Sequence, residues 1–112
     1  MTNLRWHFRS KGLQVQMRSI KLGNSAIDGE VVGNRWKMAL EIKTPRDDIT
    51  RGLGQLSEAL AYGYNEAALV TTMRTAKHID HIVFDKLGLV LLGVDSKGKV
   101  QQVYPSYASE LR

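Results

Sequence analysis

The chain predicts an α/β fold with a mixed central sheet, and three observations lead there. Residues Trp36 to Lys43 alternate apolar and polar side chains, the period-two pattern that gives a strand two distinct faces. Ile49, Leu53, Leu56 and Leu60 recur at helical spacing and form one apolar stripe, as a helix packed on a sheet requires. The run Glu66 to Thr72 then reads as a largely buried strand. Strand, helix and strand in that order make a crossover unit, whose two strands run parallel.

The remaining elements complete an order α-β-β-β-α-β-α-β-β, with helices on the faces of the sheet. Residues from about Asn3 to Ser10 form a short helix that sets Arg5 and Arg9 one turn apart. In the first strand Leu13, Val15 and Met17 alternate with Gln14, Gln16 and Arg18. The dipeptide Gly33-Asn34 between two strand-like runs is a hairpin signal, because glycine takes the positive φ such turns need. With those two residues as the loop, Val32 faces Arg35, Glu30 faces Lys37, and Asp28 faces Ala39 with Glu41 on the diagonal. Ile27 and Val31 then share a face with Trp36, Met38, Leu40 and Ile42, while Asp28, Glu30, Glu41 and Lys43 share the other. A diagonal pair lies roughly 7 Å apart, close enough for two carboxylates to hold one cation.

Thr44-Pro45-Arg46-Asp47 reads as the start of the next helix, with threonine as cap and proline in the first turn. That helix runs to about Gly63; its apolar stripe is backed by Arg51, Gln55, Glu58 and Tyr62, and Gly52 and Gly54 suggest a close approach to the sheet. A third helix runs from Thr75 to about Leu87 through Ile79, Ile82 and Val83. Strands Leu89 to Val94 and Val100 to Tyr104 close the chain, joined by the turn Asp95-Ser96-Lys97-Gly98.

The 112 residues make one domain, 1-112, large enough to bury a core without staples. No cysteine is present, which excludes disulfides, thiolate metal sites and a cysteine nucleophile. The longest apolar run, Leu87 to Val94, falls far short of the ~20 residues of a membrane span, and the opening residues lack the apolar core of a signal peptide. An intracellular, cytoplasmic protein is therefore expected. Charge is uneven along the chain. Arg5, Arg9, Lys11, Arg18 and Lys21 all precede the first acid, Asp28, and beyond it acids and bases balance, so the net +5 resides in the opening segment. A basic segment beside a carboxylate cluster suits a polyanion whose phosphates meet a metal; a solvated charged face is the plainer alternative.

The order helix, three strands, helix, parallel strand, with Asp28 on the second strand and Glu41-Ile42-Lys43 ending the third, resembles the PD-(D/E)xK nuclease superfamily. Its better-known branches are restriction-type endonucleases and archaeal Holliday-junction resolvases. The resemblance covers most of the chain and implies a restriction-endonuclease-like core that hydrolyses phosphodiester bonds in DNA or, less often, RNA. It implies that Asp28 and Glu41 ligate Mg²⁺, with Mn²⁺ as substitute, that the carbonyl of Ile42 is a third oxygen, and that Lys43 sits beside the attacking water. Two positions depart from the pattern: Ile27 replaces the proline, and the amino-terminal helix lacks a glutamate. Glu30, on the same face, is the candidate replacement ligand.

Related nucleases often carry Gln or Lys beside the metal at the position of Gln55, although the helical wheel sets Gln55 opposite the apolar stripe. Arg46 and Arg51, near that helix's start, are candidate phosphate contacts with Arg5, Arg9, Lys11, Arg18 and Lys21. His78 and His81, three apart, could share a helical face and bind a transition metal, with polar surface as the default. Trp6 and Phe8 either stack on bases or pack in the core, and core packing is favoured. DNA is the expected partner, with a homodimer because a small nuclease must contact two strands. Two rival classes stand beside the nuclease: a catalytically inactive nucleic-acid-binding module of the same fold, and a structural domain with Leu89 to Val94 near a subunit contact.

Overall fold

A computed structural model describes residues 2–105. Eight strands and four helices follow in the order α1 (Thr2–Arg9), β1 (Gln14–Gln16), β2 (Ile20–Leu22), β3 (Ser25–Ile27), β4 (Gly29–Gly33), β5 (Trp36–Ile42), α2 (Ile49–Ala61), β6 (Glu66–Thr72), α3 (Met73–His78), α4 (His81–Leu87), β7 (Val90–Val94) and β8 (Val100–Tyr104). Six strands form one mixed sheet in the order β1-β4-β5-β6-β7-β8, and β2 and β3 form a separate hairpin. The antiparallel β1, β4 and β5 are joined through parallel β5-β6 and β6-β7 pairs to the antiparallel edge strand β8. The protein is thus α/β with a mixed central sheet. No helix among the described residues is long and apolar enough to cross a membrane.

Each face of the sheet has its own apolar layer. On one, Leu4 and Phe8 of α1 pack on Val15, Val31, Met38, Leu40, Val70 and Leu92. On the other, Leu56 and Ala59 of α2, Ala76 of α3 and Phe84 of α4 pack on Ala39, Ala67, Leu69 and Leu91. Small residues on β5 and β6 beneath α2 let the helix sit close to the sheet, where a larger side chain would hold it away. The hairpin rests on this second layer through Ile20 and Leu22.

The structure corrects several sequence expectations. The β4-β5 loop is Asn34-Arg35, with Arg35 itself at φ 55°, and the register pairs Val32 with Lys37, Val31 with Met38 and Glu30 with Ala39. Gly33 ends β4, paired with Trp36, instead of turning the chain. The shift of two residues conserves strand parity, so the faces of β5 are as expected. Ile27 is an exception and joins the α2 layer. The helix after β5 begins at Ile49 with Asp48 as cap, whose carboxylate accepts from the Arg51 amide, while Thr44 to Asp47 form a separate turn. The expected single helix from Thr75 to Leu87 is two, because Ile79 is extended and Asp80 caps a new start. Strand β7 is flanked on both sides and nearly all buried, so Leu89 to Val94 offers no surface for a subunit contact.

Candidate metal centre

Strand β5 carries the candidate site at its carboxyl end, beside the parallel β6, where the open ends of α/β sheets usually hold ligands. The β4-β5 ladder becomes irregular just there. The Asp28 amide donates to the Leu40 carbonyl at 3.0 Å, and the Ile42 amide donates to Asp28 Oδ2 at 2.8 Å. These two bonds pin Asp28 beside Glu41 and account for the change of face at Ile27. Within one strand residue, N–H and C=O point to the same edge, so the Ile42 carbonyl faces the β4 edge of the strand, the side on which Asp28 lies.

Glu41 is 2% exposed, on the face covered by α2. Its Oε2 lies 3.6 Å from Lys43 Nζ, while Oε1 is buried with no hydrogen-bond partner. Burial first, then the neighbouring Asp28 carboxylate, push Glu41 up to about 7 against the pull of Lys43. Two carboxyls that crowd each other and leave one oxygen unpartnered suit a hard divalent cation, which would offset both the desolvation and the repulsion. The donor set therefore fits Mg²⁺: carboxylate oxygens from Asp28 and Glu41 and the Ile42 carbonyl. Among the described residues no group of three or more His, Cys, Asp or Glu gathers as a metal cluster, so such an ion would keep several waters, as Mg²⁺ commonly does.

Lys43 reaches the site because α2 has a glycine opposite it. A Cβ on Gly52 would meet Lys43 Cε at 2.9 Å and Leu69 Cδ1 at 3.3 Å. Lys43 also lines a cavity of about 330 Å³ with Leu4, Ile42, Pro45, Val70 and Val100. One residue was not anticipated. Thr71 stands next to Lys43 on β6, one step beyond the Ile42–Val70 pair; it is 4% exposed and its hydroxyl has no partner. A threonine closing an otherwise apolar strand run was the available signal.

Other predicted residues lie elsewhere. Glu30 does not join the pair, since Tyr64 Oη donates to its Oε1 at 2.6 Å and raises the tyrosine's pKa further after burial. Gln55 faces the hairpin: its Nε2 donates to the Ala26 carbonyl at 3.0 Å, and with Lys21 and Arg51 it lines a polar cavity of about 550 Å³. Arg5 and Arg9 are exposed on α1, Lys11 and Arg18 flank β1, and Arg46 is exposed in the turn before α2. His78 and His81 fall on different helices, and the His81 ring is 5.6 Å from that of Tyr104. Phe8 is core, but Trp6 is 73% exposed, against the expectation of packing.

No protein-family model matches the chain, and no curated protein matches it by sequence. Among solved structures, it is similar to a protein of unknown function from Silicibacter pomeroyi, with a TM-score of 0.61 and 16% identity. That match covers 90% of this chain and 64% of the other, so the chain spans less than two thirds of that protein's length. An XisH family protein from Nostoc punctiforme matches with a TM-score of 0.59 and 16% identity over 85% of this chain and 91% of that one. At such identity the likeness extends to the fold, which this chain shares with both proteins.

Proposed function

We propose that the protein is a metal-dependent nuclease of the PD-(D/E)xK type, with a restriction-endonuclease-like core, that hydrolyses phosphodiester bonds in DNA. One observation carries the reading: Asp28, Glu41 and Lys43 converge at the carboxyl end of β5, with Glu41 Oε1 buried and unpartnered. Asp28 and Glu41 would hold the ion, with the Ile42 carbonyl as third protein oxygen. A bound divalent cation supplies charge to offset that building on the phosphate and acidifies water beside it. Lys43 orients the attacking water and stabilises developing negative charge, a task suited to a compact ammonium. Where both strands of a substrate are cut, a homodimer supplies the two sites, and light scattering measures whether it forms.

Supercoiled, branched, single-stranded and linear DNA, incubated with the protein and Mg²⁺ or Mn²⁺ or with chelator, test the reading. Cleavage is expected with either metal, and to be lost with chelator and in Lys43→Ala. If every substrate survives with both metals, the reading is wrong. Its rival, an inactive nucleic-acid-binding module, draws on the lack of a third acidic group beside the pair among the described residues. It expects steeply salt-dependent binding with no cleavage.

A further inference from the structure

The most exposed large apolar side chain among the described residues is Trp6, on the outward face of a helix whose other large apolar residues, Leu4 and Phe8, are buried. Two lysines from a distant turn of the chain lie beside it. Trp6 and His7 line a cavity of about 250 Å³ together with Lys97, Gly98, Lys99 and Val100 from the β7-β8 turn. Lys97 and Lys99 are exposed. Asp95 of the same turn accepts from the backbone amides of both lysines, at 2.9 and 2.8 Å. Arg5 and Arg9 add two exposed cations on the same helix.

Val100 lines both the Trp6 cavity and the cavity beside Lys43, and Leu4, two residues before Trp6, lines the latter. The buried Val100 is thus common to the two cavities. The surroundings of the exposed ring are cationic. Aromatic faces set among positive charges are how proteins hold unpaired nucleotides, since every base has a face to stack and every nucleotide a phosphate. A duplex keeps its bases stacked inside and cannot use such a ring.

We propose that Trp6, with Lys97 and Lys99, forms a stacking platform for an unpaired nucleic-acid strand, so that the substrate is single-stranded or has a single-stranded arm. The proposal rests on the nuclease reading for the strand's destination, but binding to the platform needs no metal. Fluorescein-labelled oligo(dT) and a matched duplex, titrated with the full chain in chelator, separate the two ideas. The single strand should bind at least tenfold tighter than the duplex. Trp6→Ala should weaken oligo(dT) binding by about five- to 150-fold, the range for losing one stacked base, whereas Trp6→Phe retains most of the affinity. Changing Lys97 and Lys99 together to alanine should flatten the dependence of log affinity on log salt by about 1.4, the single-strand value for two phosphate contacts; Trp6→Ala should leave that slope unchanged.

Equal affinity for strand and duplex, or wild-type affinity in Trp6→Ala, overturns the platform whether or not the protein cleaves DNA. Should Trp6→Ala instead convert a dimer to a monomer and leave strand binding intact, the ring belongs to a contact between copies and the proposal fails. Conversely, strand binding that depends on Trp6 without metal-dependent cleavage keeps the platform and removes the nuclease.

Discussion

The two faces of the sheet are built to different standards. Beneath α1 the layer is aliphatic and aromatic throughout. Beneath α2, the same strands bury Glu41 and Thr71, and α2 itself contributes Gln55 and Ser57; these four supply every buried side-chain polar atom left without a hydrogen bond among the described residues. A buried polar atom without a partner costs about 1–3 kcal/mol, and proteins tend to carry such costs where they act. One face therefore supplies stability, and the other gives some of it up to hold charge in a dry place.

Replacing a fully buried residue of the apolar face should give the largest effect. Leu40→Ala, at a site with no exposure, should cost about 2–5 kcal/mol in urea unfolding. Its neighbour Glu41 faces the other way, and a similar loss from Glu41→Gln would erase the contrast between the faces. Next comes Lys43→Ala, which should slow cleavage at least a hundredfold, about 3 kcal/mol, with a circular-dichroism melt close to wild type; unfolding of this variant would move Lys43 to the structural side.

The third prediction follows from the raised pKa of Glu41. Its carboxyl titrates near 7 in the folded chain against a usual value of 4.5, so the folded state holds the proton more tightly than the unfolded state. This contribution to stability is fully present below about pH 4.5 and is lost as pH rises towards 7 and above, by up to about 3 kcal/mol. Metal-free wild type should thus melt lower at pH 8 than at pH 5.5 by more than Glu41→Gln does. The gain in melting temperature from added Mg²⁺ should grow across the same interval, because the ion competes with the proton; a gain independent of pH would remove Glu41 from the ligand set. The smallest effect on stability belongs to Gly52→Ala. The better helix propensity, about 1 kcal/mol, should offset the crowding of Leu69, while the displaced Lys43 stem lowers the cleavage rate roughly tenfold; an unchanged rate would mean that Lys43 needs no such gap.

Much of this division was legible in the chain. The alternation from Trp36 to Lys43 set Glu41 and Lys43 on one face, and a register error of two residues did no harm because period two is blind to it. Favouring Gly33 for the turn is the source of that error: Gly33 pairs with Trp36 at the end of β4, and Arg35 takes the positive φ. The hairpin β2-β3 was missed because its strands are three residues long, although Gly23-Asn24 between apolar residues was a turn signal. Asp80 could have announced the break between α3 and α4, but the helical periodicity of Ile79, Ile82 and Val83 runs straight through it. Nothing local marks Trp6 as exposed; that follows from α1 having one buried stripe, filled by Leu4 and Phe8.

The two carboxylates of the centre are moored very differently. Glu41 belongs to a strand gripped on both sides, and Asp28 to the joint at which a small hairpin hands the chain back to the sheet. The sheet can therefore form with the ion seat half made, and a luminescent lanthanide added during refolding would time the closing of that joint rather than the assembly of the core.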